Sequence, residues 1–466
     1  MAKVLLINPS YFESIFGSAK VRPAISEGVT PLGLVSIASP LREKGHSVTL
    51  VDLNISKNPA LDLQNALRTL LPDIVGITAA TPVIRKAYRM TEAVKQFSND
   101  ILVVVGGPHP SALPEQVLTE SRIDFVVQGQ GDYAMSRIAD GALSSDAANV
   151  YLKTNGSVTK PSRTEFVTDL DNLPFPAYDL LDISRYCQPK IASRREPLGY
   201  LETSRGCYGR CVYCNKNIHG NKIRAKSPTR TVDEIEWMLG LGFREIQIID
   251  DNFTANKDRA YAVCEEILRR GLKFPWYPRG GIRVDRIDLE LLRIMRRAGC
   301  YRIPFGVESG SQRVLDEIRK GITLEQVERA VSFAKKAGME TECYFILGLP
   351  TETEEDLTKT VDFAIKLDPD YAKFPFMVPL PGTPVFDRMM ERGQIRTFEW
   401  EKYTFATPPE ELADHDVLSW DVIKRYEALA YRKFYFRPRY IMRTLTRTMT
   451  NGTFLDHLKG MLKIRW

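Results

Sequence analysis

Short apolar β-runs alternate with helical patterns along this chain in two blocks, and a proline-bearing stretch separates them. In the first block, residues 1–145, runs at 4–7, 48–51, 74–77, 102–105 and 125–127 each precede a helix-like segment. That alternation is the pattern of α/β architecture: a doubly wound parallel sheet with helices on both faces. Sheets of this kind bind ligands beyond the carboxyl ends of their strands. Those ends read Asn8-Pro9-Ser10, Thr78-Ala79-Ala80-Thr81-Pro82, Gly106-Gly107-Pro108-His109-Pro110 and Gly129-Gln130-Gly131-Asp132. Residues this small let a backbone come close to a large, flat ligand.

Residues 146–195 read as a linker, because Leu173-Pro174-Phe175-Pro176 argues against regular structure there. The second block, residues 196–384, has strand patterns at 199–202, 245–249, 276–278, 303–305, 341–345 and 372–376, which suit a partial βα barrel with ligands at the strand ends. Residues 385–466 read as a helical, basic C-terminal region. From Asp421 to Trp466 there are eleven Lys and Arg against three acidic residues, so with a net charge of +6 the rest of the chain is close to neutral. A chain-wide basic field for nucleic acid is therefore not expected.

At the start of the second block, Thr203-Ser204-Arg205-Gly206 leads into Cys207-Tyr208-Gly209-Arg210-Cys211-Val212-Tyr213-Cys214. Cubane iron–sulfur clusters normally take four cysteines, so a tight trio leaves one iron open to a non-protein ligand. Zinc is the competing metal, with His219 as the local fourth ligand. The other four cysteines, Cys187, Cys264, Cys300 and Cys343, are scattered and form no disulfide framework. Reduced thiols, an N-terminus that runs from a strand into a turn, and the lack of an apolar run of about 20 residues point to a cytoplasmic protein.

The trio, with Tyr213 before its last member, resembles the cluster loop of the radical S-adenosylmethionine superfamily. The resemblance implies a 4Fe-4S cluster on Cys207, Cys211 and Cys214. Its open iron would chelate S-adenosylmethionine, with Tyr213 against the adenine, and an external donor such as a flavodoxin or ferredoxin would supply the electron that releases a 5′-deoxyadenosyl radical. Further motifs match in family order. Asp250-Asp251-Asn252-Phe253 implies Asp251 at the methionine amino group, and Arg283 implies a carboxylate contact, with Arg279 or Arg302 as substitutes. Glu308, Ser309 and Gly310 imply ribose and methionine contacts, and Gly348-Leu349-Pro350-Thr351-Glu352-Thr353 implies the adenine side. Taken singly, Asp250 and Asp251 also suit a helix cap, and Glu308 a surface ion pair.

The first block, with Pro31-Leu32-Gly33 opening its first helix, is similar to the cobalamin-binding domain that many of these enzymes carry. This implies corrin contacts from Ser10, Leu32, Gly33, Thr78, Gly106, Gly107, His109, Gly129 and Gly131. The chain departs from the pattern twice. Asp52-Leu53-Asn54-Ile55-Ser56-Lys57 replaces the D-x-H-x-x-G motif, so no histidine is available there for the lower face of cobalt. Gly129-Gln130-Gly131-Asp132 also has one carboxylate fewer than the usual acidic loop.

The implied function is cobalamin-dependent C-methylation of an unactivated carbon. The alternative is cyclisation, ring contraction, carbon–carbon coupling or oxidation without methyl transfer, and a noncatalytic cofactor carrier is a third reading. The substrate is expected to be a small molecule or lipid. Phe454, Leu455, Leu458, Met461 and Leu462 fall on one helical stripe with basic residues off it, which suits either packing on the barrel or contact with an anionic membrane surface.

Overall fold

The computed structural model describes residues 1–11, 29–142, 147–154, 156–188 and 192–450. Five parallel strands, β1 (Lys3–Asn8), β2 (Ser47–Asp52), β3 (Ile74–Thr78), β4 (Leu102–Gly106) and β5 (Phe125–Val127), form the N-terminal sheet in the order β2-β1-β3-β4-β5. Their side chains are apolar on both faces because both faces are covered. Val4, Leu6 and Val104 pack with the helix Leu32–Glu43, while Leu5, Ile7, Val75 and Val105 pack with the helix Ile84–Phe97. The order reverses at β1 and β3, so the flanking helices leave to opposite faces and open a crevice above the strand ends.

The expectation of an irregular linker over 146–195 needs correcting. β6 (Val150–Thr154) pairs antiparallel with β5, and β7 (Ser157–Thr159) with β6, so among the described residues the sheet has seven strands. A three-residue β5 would otherwise be an open edge, and the hairpin covers its unpaired backbone groups. The proline-bearing part beyond it is a strap. Ala177 N–H donates to the Val35 carbonyl (2.9 Å), the Ser39 hydroxyl donates to the Phe175 carbonyl (2.6 Å), and the buried Tyr178 hydroxyl donates to the Tyr200 carbonyl. The helix Leu32–Glu43 is thereby tied to the barrel.

Among the described residues the barrel has six parallel strands in sequence order: β8 (Leu198–Leu201), β9 (Glu245–Ile248), β10 (Trp276–Pro278), β11 (Arg302–Glu308), β12 (Glu340–Phe345) and β13 (Tyr371–Lys373). β8 to β10 and β11 to β13 pair as two ladders, and parallel bridges Trp276–Cys300 and Ile282–Phe305 join them. β13 ends earlier than its apolar run suggests, because Pro375 has no N–H to donate. The crossover helices start at side-chain caps: Ser227, Asn256 and Asp288 each accept an N–H three residues on, and Thr323 with Gln326 and Thr353 with Asp356 close capping boxes.

Beyond the barrel, the helix Trp420–Tyr435 lies on the helix Glu354–Leu367. The helix Pro438–Thr450 is held by Arg443 (2.5 Å) on Asp368 and by the Tyr440 hydroxyl on the Asp370 carbonyl (2.9 Å), with Arg437 just before it also on Asp368 (2.8 Å). The stripe Phe454, Leu455, Leu458, Met461 and Leu462 lies outside the described residues. Among the described residues no helix is long and apolar enough to cross a membrane.

Candidate active site

The root of the cysteine loop is clamped to the end of β9. The buried Asp250 carboxylate accepts the Thr203 N–H (2.5 Å) and the hydroxyls of Thr203 and Ser204 (2.6 Å each). Burial raises its pKa, while Arg259 and these donors pull against that. Asp251 accepts the Gly206 N–H (2.8 Å). Ser204–Arg205 pairs antiparallel with Arg224–Ala225 and closes the loop. Gly206 has φ +88°, and a Cβ there would stand 2.2 Å from the Lys222 carbonyl oxygen, so glycine is required.

At the apex Gly209 lies between two ligands, its notional Cβ 3.4 Å from the Cys207 sulfur and 3.8 Å from that of Cys211. Buried Val212 anchors the apex, donating its N–H to the Ile318 carbonyl (3.1 Å) and accepting that of Val385 (3.0 Å). Among the described residues no three Cys, His, Asp or Glu side chains converge as one ion would need. A cubane takes one sulfur at each of three irons, and three cysteines carried on one loop suit that donor set. His219 is engaged elsewhere, with Nε2 on Glu202 (3.3 Å) and Nδ1 facing the Gln130 amide (3.3 Å).

Tyr213 meets a residue that the sequence reading missed. The Lys320 ammonium donates to the Tyr213 hydroxyl (3.3 Å) and lies 2.6 Å from the Glu308 carboxylate at the end of β11. Gly306 makes the space, since a Cβ there would stand 2.6 Å from Glu308 and 2.9 Å from Lys320. Burial, then the charge of Glu308, push the Tyr213 phenol far up. Arg283 donates to Asp285 (2.9 Å) and to the carbonyls of Lys320 (3.0 Å) and Gly321 (2.9 Å), with its guanidinium over the Tyr208 ring. It braces the cysteine loop against the Lys320 turn. Arg279 instead donates to the Tyr200 hydroxyl (2.8 Å) and Gln247 (2.9 Å) inside the barrel.

Ser309 and Gly310 are placed differently from their expected contacts. Both face the helix Glu354–Leu367, where the Ser309 hydroxyl pairs with that of Thr360 (3.1 Å) and the Gly310 N–H donates to it (3.0 Å). In the 348–353 turn, Glu352 accepts the N–H groups of Gly348 (2.8 Å) and Leu349 (3.2 Å), and burial pushes its pKa up to about 8.

A cavity of about 280 Å³ opens over the crevice of the N-terminal sheet. Leu32, Gly33, Thr78, Gly106, Gly107, Gly129 and Gly131 line it, together with Leu6, Met135 and other apolar side chains. The glycines make the cradle. At Gly107 (φ +109°) a Cβ would press on the Ala79 backbone at 2.9 Å, and at Gly131 on Ile37 at 2.9 Å, whereas at Gly33 it would meet no atom within 4 Å. Such a wall of backbone and apolar side chains fits part of a large, flat cofactor.

Two expected contacts are not in the lining. The Ser10 carbonyl accepts from Lys86 (2.8 Å). Pro108 opens a short helix, Pro108–Ala112, that turns His109 inward, where it is buried edge-on to Trp400 with Nδ1 3.3 Å from the Thr81 hydroxyl. At the site of the missing histidine motif, Asp52 accepts from Asn8 (2.8 Å), Asn54 (3.0 Å) and Tyr186 (2.8 Å).

The cavity also reaches the barrel, through Glu202, Arg205, His219 and Ile249. Arg205 forks onto Asp132 (2.8 and 3.0 Å) and also holds Glu202 (2.6 Å). Against the desolvation of burial, the Arg205 charge holds the Asp132 carboxyl below its usual range. The altered Gly129-Gln130-Gly131-Asp132 loop therefore keeps one carboxylate that pins the cavity to the strand entering the cysteine loop.

A doubly wound sheet with a glycine-lined cavity, joined to a six-stranded barrel that carries a three-cysteine loop, defines a two-cofactor radical enzyme. A model of the radical SAM superfamily matches residues 201–364, and one of the B12 binding domain matches residues 24–139. An uncharacterized methyltransferase of Pyrococcus horikoshii is 32% identical over 450 residues, 95% of this chain and 94% of that protein. The anaerobic magnesium-protoporphyrin IX monomethyl ester cyclase of Rubrivivax gelatinosus is 29% identical over 99% of this chain and 82% of its own length. The solved structure of OxsB, a cobalamin-dependent S-adenosylmethionine radical enzyme with aqua-cobalamin and S-adenosylmethionine bound, superposes with a TM-score of 0.76 at 19% identity, over 98% of this chain and 72% of that one. The chain belongs to the radical S-adenosylmethionine enzymes that carry a cobalamin-binding domain. Its cofactors are a 4Fe-4S cluster, S-adenosylmethionine and cobalamin.

Proposed function

We propose that this enzyme is a cobalamin-dependent C-methyltransferase acting on an unactivated carbon of a small molecule. The observation that carries the reading is the Asp132–Arg205–Glu202 bridge, which sets the glycine-lined cavity against the strand that leads into the cysteine trio. When bound, the reduced cluster and S-adenosylmethionine supply a hydrogen-abstracting carbon radical, and the corrin supplies a methyl group.

The chain's own residues do the rest. Cys207, Cys211 and Cys214 would hold the cluster on a loop fixed by Asp250, Asp251 and Val212. Tyr213, Glu308 and Lys320 form the polar wall beside it, with Arg283 bracing the loop from behind. Leu32, Gly33, Gly106, Gly107, Gly129 and Gly131 would cradle the corrin, and Asp52, tied up by three donors, offers cobalt no imidazole. Methionine and ribose contacts fall to Glu308 at the end of β11.

The electron comes from an external low-potential donor of the flavodoxin or ferredoxin kind. We place the enzyme in the cytoplasm, where its free thiols stay reduced. The helix Pro438–Thr450 serves as packing for the barrel, because Arg443 and Tyr440 are committed to Asp368 and Asp370.

The test needs no substrate. Reduced holoenzyme given methyl-labelled S-adenosylmethionine is expected to carry label on the bound corrin and to release S-adenosylhomocysteine. Deoxyadenosine and methionine without S-adenosylhomocysteine would move the enzyme to the outcomes without methyl transfer.

A further inference from the structure

Lys320 belongs to no strand-end motif, yet its side chain is only 12% exposed and lies beside the cysteine loop. The backbone aims it there. Arg319 has φ +54°, Lys320 N–H donates to the Leu315 carbonyl (2.9 Å), and the Lys320 carbonyl accepts from Arg283 (3.0 Å). A buried ammonium is costly unless paired. Its pair, Glu308, sits at φ +69°, a left-handed conformation that a side chain seldom adopts. Gly306 is emptied of a side chain to admit both groups. The fold thus puts strain into holding one cation next to Tyr213, between Cys211 and Cys214 in sequence.

We propose that Lys320 is a positioning residue for electron delivery: its ammonium, fixed by Glu308 and the Tyr213 hydroxyl, raises the reduction potential of the cluster on the trio. Three thiolates leave a cubane net negative, and one electron from the external donor makes it more so, with no bond made or broken. A fixed cation in a low-dielectric site stabilises that added charge. Glu308 carries the opposite charge and works the other way. The inference rests on the cluster being bound, which iron content reads separately from potential.

The experiment is an anaerobic potentiometric titration of the reconstituted full chain, followed by electron paramagnetic resonance without S-adenosylmethionine. Lys320→Met should give a more negative midpoint at unchanged iron content. Lys320→Arg should stay near the parent and Glu308→Gln should move to a less negative value, with the Lys320→Met/Glu308→Gln double variant between the two single variants. A Lys320→Met protein with full iron and an unmoved midpoint would overturn the proposal, even if S-adenosylmethionine bound more weakly. Should Lys320→Met lose iron, Glu308→Gln decides, and an unmoved midpoint there is equally fatal.

Discussion

A side chain at position 206 would leave the cysteine loop nowhere to close. Gly206→Ala meets the Lys222 carbonyl and a left-handed backbone at once, a cost of about 1–3 kcal/mol from the conformation alone. The variant is expected to lose most of its iron while still taking up cobalamin, as read by metal analysis and absorbance. His109 illustrates a different residue-scale effect. Burial lowers its pKa to about 4, against about 6.5 in an unfolded chain. Its neutral imidazole therefore contributes stability in full above pH ~6.5, and that contribution is lost as pH falls towards 4, up to about 3 kcal/mol. His109→Gln should narrow the melting-temperature gap to the parent as pH drops through that window. A gap that stays constant with pH would contradict the assignment.

Residue type at a strand end was a good guide to the cavity glycines, because the crevice demands small residues wherever they fall in the turn. It could not tell which way a turn faces. Ser309, Gly310 and His109 sit in expected places but point into packing, and the lone Lys320 gave no signal in a run already rich in charge.

Among the elements, the join between sheet and barrel is the most consequential. Arg205 and Asp132 each have side chains 6% exposed, and removing one partner of such a pair typically costs about 3–5 kcal/mol because the other charge stays buried. Arg205→Met should lower the melting temperature and weaken cobalamin retention together, whereas the double variant Arg205→Met/Asp132→Leu should recover part of the stability but not the retention. Equal retention in both variants and the parent would detach this pair from the cavity. At the other end, Ile441, Met442 and Met449 are exposed on the helix Pro438–Thr450, yet Arg443 is taken by Asp368. Anionic lipid vesicles are expected to leave the full chain in the supernatant on sedimentation, and salt-sensitive pelleting would instead give the C-terminal region a membrane role.

The element reading from sequence succeeded where helix caps and apolar runs were strong, as at Thr323 and Thr353. It failed at 150–159, where the short hairpin was swept into a stretch read as irregular from Pro174 and Pro176 well beyond it, and at 372–376, where Pro375 shortens the strand.

On the scale of the whole molecule, the alternating pattern made both α/β units visible, since burial on two faces and crossover helices leave a long-range signature. The contact between the units was not visible, because it depends on Arg205, Glu202 and Asp132 meeting across 73 residues of chain. One chain is expected to hold a corrin and an incompletely ligated cluster in separate seats. The most direct measurement is the anaerobic absorption spectrum of the reconstituted parent beside a variant with Cys207, Cys211 and Cys214 all changed to Ala. The account predicts cluster and corrin bands together in the parent, and corrin bands alone in the variant. Retained iron–sulfur absorption in the variant, or a parent that takes up no corrin, would contradict it.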